Sequence, residues 1–160
     1  MIPDLDEVES RMRPGRYSVA GFLGPGERLA DVLERDDATV RGLGLTHRWL
    51  AEVLREVLSA ASAGGGRRAT VGGRFRAVLT AYKGFQICPW AVDPRRGQCD
   101  AEGGPSFASL DWEIRNLGSG QAMRGPGLIE HLIRAHRFYE GERSPYRVDP
   151  AALARLLDLA

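Results

Sequence analysis

The sequence predicts an α+β fold: N-terminal helices, a small mostly antiparallel sheet in the middle, and C-terminal helices. Two patterns predict it. Apolar residues recur at three- and four-residue steps from Leu45 to Ala61, and again from Leu128 to Tyr139, whereas Leu110, Trp112 and Ile114 alternate with Asp111, Glu113 and Arg115. The first spacing marks a helix with one buried face and the second a half-buried strand. Because helices, strands and helices follow one another in blocks, the order argues against an alternating parallel α/β arrangement.

Taken in order, Asp4 to Met12 reads as a short polar helix, and Pro25 to Leu33 as a second that opens on a proline. Thr46 is the expected N-cap of the third, whose buried face is read as Trp49, Val53, Leu54, Val57, Leu58 and Ala61. Gly64-Gly65-Gly66 closes it. Phe75 to Tyr82 is β-branched and aromatic enough for a strand, Gly84 interrupts, and Phe85 to Cys88 is read as a short separate strand stopped by Pro89. Residues 91–106 are rich in Gly, Pro and Asp and read as a loop carrying Cys99. Asn116 to Gly120 is a turn, with Gln121 to Arg124 returning as the partner of the Trp112 strand. Leu128 to Tyr139 reads as a helix closed by Gly141, and Asp149-Pro150 opens a last helix with Leu153, Leu156 and Leu157 inward.

A length of 160 residues suits a single domain over 1–160, with room for a helical subdomain over 1–63 and a zinc-stabilised α+β part over 68–160. Lys and Arg number 22 against 21 Asp and Glu, so no bulk field draws the chain to phosphate backbones or membranes, and nucleic-acid binding would need a local patch. The acidic start and the lack of a long apolar window lead to the expectation of a soluble, cytoplasmic protein that engages no membrane. Two cysteines in a reducing compartment are free to bind metal rather than to staple a scaffold.

The chemistry-bearing residues are Cys88, Cys99, His131 and His136, two thiols followed by two imidazoles on one helix. Zinc favours these ligand types, and a full set of four is the usual mark of a structural site. The order resembles the two-cysteine, two-histidine zinc arrangement of zinc fingers, with four residues between the histidines. It departs from it at the cysteines, which ten residues separate where two to four are usual. On an ideal helix the two histidines lie about 140° apart, flanking the apolar arc of Leu128, Ile129, Leu132, Ile133 and Ala135. The expected cofactor is therefore a structural zinc ion. The competing readings are inert buried cysteines with core histidines, and a Cys88–Cys99 disulfide.

The resulting expectation is a zinc-finger-like, macromolecule-binding or regulatory module, more a non-enzyme than an enzyme, with no catalytic residues assigned. Its partner would be a protein, or nucleic acid through Arg-rich segments. The alternative is a metal-dependent hydrolase whose open zinc site uses Glu130 or Glu140 as base. Two segments carry the partner reading. Arg67, Arg68, Arg74, Arg76, Lys83, Arg95 and Arg96 make the middle of the chain basic, and Arg137 to Arg147 interleaves arginines with aromatics. Gly21 to Gly26 offers a weaker anion-binding reading without the lysine of a P-loop.

Overall fold

In the computed structural model the described residues are 4–64, 68–91, 99 and 107–160, with the side chains of residues 82–85, 107 and 108 left out of the description. Among the described residues, five helices flank a four-stranded antiparallel sheet of order β1-β2-β3-β4: α1 (Leu5–Arg11), α2 (Leu29–Gly42), α3 (His47–Ala63), β1 (Arg68–Val71), β2 (Phe75–Ile87), β3 (Phe107–Asn116), β4 (Ala122–Pro126), α4 (Ile129–His136) and α5 (Pro150–Leu156). This is the α+β arrangement expected, with helices at both ends. No helix among the described residues is long and apolar enough to cross a membrane.

The caps follow local chemistry. Asp4, Thr46 and Asp149 each accept a backbone N–H of the first turn of α1, α3 and α5, and Pro150 takes the first helical position of α5. α2 departs from expectation. Gly26 lies at a φ of 75°, which ends any helix begun at Pro25, and the Glu9 carboxylate receives the Leu29 N–H at 2.7 Å, so the helix starts there. With no breaker before Gly42, it runs on to that residue.

The inner face of α3 is rotated from the one expected. His47, Leu50, Ala51, Leu54, Val57 and Ala61 are buried, while Trp49 is 45% exposed and Val53 and Leu58 are only half-buried. The apolar stripe is wider than the face that α4 and the sheet cover, and periodicity alone does not say which edge is left out.

β2 is a single strand where two were expected. The ladder continues past Gly84 through a register shift between Ala81 and Gln86, a bulge that absorbs the irregularity. β1, which the sequence reading passed over, pairs with the start of β2. The β3–β4 hairpin forms as expected, and Asn116 locks its turn. Its side-chain oxygen accepts the N–H groups of Gly118 and Ser119, and its amide donates to the Leu156 carbonyl and to Asp158, each at 2.9 or 3.0 Å.

Strand alternation gives the sheet two unlike faces. Phe75, Ala77, Trp112 and Ile114 point into a core shared with Leu50, Leu54, Ile129, Leu132 and Leu153. Gly125 sits opposite Trp112 because the indole fills the space where a Cβ would stand. On the other face Arg68, Thr70, Arg76, Thr80, Arg115 and Arg124 are exposed, and Arg76 stands directly opposite Arg115 in the β2–β3 register.

The segment after α4 is part core and part surface, with Arg137, Arg143 and Tyr146 exposed. Phe138, Tyr139 and Glu140 are fully buried, and Arg147 forms a two-pronged ion pair with buried Asp36 of α2, both contacts 2.8 Å. α4 itself stops at His136. Arg137 turns into the left-handed region at a φ of 57° with its N–H on the Ile133 carbonyl, so the helix ends short of Tyr139 and Gly141 plays no part in capping it. Gly141 packs instead against Glu27, whose carboxylate receives the N–H groups of Gly24 and Arg143 at 2.6 and 2.9 Å. The glycine turn at 21–26 thus holds an anion of the chain's own making.

Candidate metal centre

Three separate segments meet at one end of the core. Cys88 follows the last residue of β2, and the Ala91 N–H returns to the Cys88 carbonyl at 2.9 Å, making a tight Cys-Pro-Trp-Ala turn. The buried guanidinium of Arg11, on α1, donates to the carbonyls of Pro89 and Ala91 at 3.0 Å each while its other arm pairs with Glu7 at 2.7 Å. That clamp fixes the turn bearing the first thiol. α4 supplies His131 and His136, and Cys99 arrives from the segment between β2 and β3. Of that segment, residues 92–98 and 100–106 lie outside the described residues, including Pro94, Arg95, Arg96 and Gly97.

The donor atoms of Cys88, Cys99, His131 and His136 all lie within 4.8 Å of one another, and among the described residues they form a group able to hold a metal ion. The imidazole of His136 is the hub, its Nε2 standing 3.3 Å from the Cys88 sulfur and 3.2 Å from that of Cys99. A tetrahedral zinc with ordinary bond lengths separates sulfur and nitrogen by about 3.6 Å, so the observed spacing is close to a coordination edge. His131 completes the set: its ring centroid is 5.3 Å from that of His136, and its Nε2 is buried with no hydrogen-bond partner among the described residues. A buried imidazole nitrogen without a partner is costly unless something accepts or supplies a bond there.

Burial also governs the thiols. Cys88 is fully buried and Cys99 nearly so, and neither is in a disulfide, which removes the bridged reading. Desolvation pushes the Cys88 thiol far above its usual range, and the neighbouring Cys99 adds to this, while the N–H groups of Trp90 and Ala91 act the other way. Without a cation this pocket therefore favours thiols, whereas a bound metal would stabilise both thiolates.

The surroundings hold the imidazoles in place. The Trp90 indole stacks on the His136 ring at 4.1 Å with the planes 6° apart, and its edge meets Phe138. On α4, Glu130 and Arg134 form a sheltered pair at 3.2 Å one turn apart. Sequence reasoning missed Arg11 and Trp90. The Pro89-Trp90 pair beside Cys88 was a visible cue for Trp90, but nothing in the sequence links Arg11 to a turn 78 residues away.

Of the other residues considered, Glu140 turns its carboxyl to the Ser144 hydroxyl at 2.8 Å. His47 is held between Asp37 and the Tyr139 hydroxyl at 2.8 and 2.9 Å. Arg67 lies outside the described residues, and Arg74 pairs with Asp158 at 2.9 Å.

Comparison of the chain with protein-family models, with curated proteins and with solved structures returns no match.

Proposed function

We propose that Cys88, Cys99, His131 and His136 bind one zinc ion as a closed structural site, and that the chain is a cytoplasmic macromolecule-binding module rather than an enzyme. One observation carries the metal reading: four soft donors from three segments converge within 4.8 Å, one of them an imidazole nitrogen that is buried and, among the described residues, otherwise unpartnered. Softness selects the ion, since two thiols and two imidazoles suit zinc better than a hard, oxygen-seeking cation. When bound, the ion would cross-link the end of β2, α4 and the segment of Cys99, and would hold both sulfurs as thiolates. Free, unbridged cysteines accord with a reducing compartment.

The surroundings support a closed site over a hydrolytic one. An open zinc centre needs a base beside its water, and the two candidates are engaged elsewhere: Glu130 with Arg134, and Glu140 with Ser144. The test is metal analysis of protein prepared without a histidine tag, with Cys88→Ser and His136→Ala alongside. About one equivalent of zinc, lost from both variants together with a large drop in melting temperature, is the expected result. Less than a tenth of an equivalent in the parent protein would end the zinc reading, and metal loss with an unchanged melting temperature would make the site open rather than structural.

A further inference from the structure

The outer face of the sheet carries an arrangement that stability does not explain. Arg76 and Arg115 are directly opposite in an antiparallel register, a placement that disfavours like charges, and the Arg115 guanidinium donates to the Gly120 carbonyl at 3.1 Å. Arg68 and Arg124 stand in the adjacent row, at either end of Arg68, Val78, Glu113 and Arg124 across the four strands. All four arginines are exposed, and among the described residues no hydrogen bond or ion pair engages Arg68 or Arg76. Arg124 reaches Glu113 only at 3.9 Å and largely in solvent, a contact worth little and easily exchanged.

At the end of this face, next to Arg124, lies a cavity of about 270 Å³ lined by Asp111, Arg124, Gly125, Pro145 and Tyr146. It is small beside pockets for drug-sized ligands, which begin at roughly 300 Å³. Tyr146 in it is 38% exposed, and Asp111 presents a buried carboxyl oxygen that has no hydrogen-bond partner among the described residues. Asp111 is four residues along β3 from Arg115, about 13 Å at strand rise, so the cavity continues the row of arginines.

We propose that this open sheet face binds single-stranded nucleic acid, its phosphates along Arg68, Arg76, Arg115 and Arg124 and one unpaired base in the cavity, stacked on Tyr146 with its N–H edge on Asp111. The proposal deepens the macromolecule-binding reading above and rests on it. A phosphate seated between Arg76 and Arg115 pairs with both cations at once, in place of water on Arg76 and of the Gly120 carbonyl on Arg115. A carboxylate accepts from the exocyclic amino group of cytosine, adenine or guanine, and an aromatic ring takes any base face, so a modest preference for these bases over uracil is expected. A duplex keeps its bases stacked and cannot fill the cavity. With a net charge of only +1 for the whole chain, binding depends on this local patch and weakens steeply with salt.

The test is fluorescence anisotropy of a labelled single-stranded RNA dodecamer and its duplex with the full, zinc-loaded chain, between about 50 and 200 mM salt. Tighter binding of the single strand is expected. Arg76→Gln with Arg115→Gln should lower the salt slope by about 1.4, and Tyr146→Ala should weaken binding about tenfold at an unchanged slope. Melting temperature and zinc content should match the parent in both variants. No binding at about 100 µM protein in low salt would overturn the proposal. RNA binding unaffected by the paired glutamine variant would overturn this face while leaving a binding module elsewhere on the chain. Equal affinity for heparin, indifferent to Tyr146→Ala, would reduce the face to a general polyanion patch and overturn it too. RNA binding with these variant effects in a protein that proves zinc-free would support the face and sink the metal reading alone.

Discussion

Trp90 lies flat against His136, ring on ring at 4.1 Å, and so fixes the orientation of the imidazole that both cysteine sulfurs approach. The contact is more than packing, because an imidazole free to rotate would have to be ordered at the moment of metal binding. Trp90→Ala is therefore expected to weaken zinc binding by about 10- to 100-fold, the range seen when the support of a metal ligand is removed. Trp90→Phe, which keeps a flat apolar ring, should recover most of it. Competition against a chromophoric chelator measures both, and equal affinity in all three proteins would show that the stack does not position the ligand.

Asp36 and Arg147 join α2 to the segment after α4 through a buried, two-pronged ion pair, with Asp36 almost wholly inaccessible. Removing one partner strands the other charge inside. Asp36→Ala should cost about 3 kcal/mol or more in urea unfolding, and replacing both residues by apolar ones of similar size should restore a large part of that. Equal losses in the single and double variants would mean that packing, not charge, holds the joint.

The elements that could be read from sequence are those specified by contacts close in the chain. Thr46 and Asp149 announce their helices because each cap bonds a backbone N–H three residues away. The alternation around Trp112 announces its strand in the same local way. What could not be read depends on distant partners. α2 begins at Leu29 because Glu9 meets its N–H from twenty residues upstream, and α3 turns Trp49 outward because α4 and the sheet cover another part of its stripe. The Arg137 to Arg147 segment had the composition of a surface binding strip, and it is divided: Phe138 and Tyr139 enter the core and Arg147 pairs with Asp36, while Arg137, Arg143 and Tyr146 stay exposed. The Cys/His grouping was legible because soft donors are scarce in this chain. Its Arg11 clamp was not, since an arginine on α1 carries no sign of the turn it holds.

Gly125 provides a sharper test of the sheet's packing. A methyl there would meet the Trp112 ring and Val148 at well under contact distance, and Trp112 is tied by its indole N–H to the Pro126 carbonyl at 3.0 Å. The indole cannot withdraw without losing that bond. Gly125→Ala should destabilise by about 2 kcal/mol, roughly 6 °C in melting temperature. Gly120→Ala is the reference for backbone strain alone, because at its φ of 79° a methyl meets nothing within 4 Å. If Gly120→Ala proves equally harmful and Gly125→Ala nearly neutral, the close approach of the indole is not what selects glycine.

Glu140 should make stability fall with rising pH. Burial pushes its carboxyl up to about 8, and the charge of Asp111 adds to this against the hydrogen bond from Ser144. An unfolded glutamate titrates near 4.3, so between roughly pH 4 and 8 the folded chain holds a proton that the unfolded chain has released. Stability contributed by the neutral form is then complete below the unfolded value, drains away as pH climbs through this window, and levels off above about 8. Glu140→Gln keeps the size and the left-handed backbone position while removing the ionisation. In urea titrations at about pH 5, 6.5 and 8.5, the variant should gain steadily on the parent, with the largest advantage at the highest pH. A constant offset across the three would show that the carboxyl titrates alike folded and unfolded, and that its burial is relieved by something other than a proton.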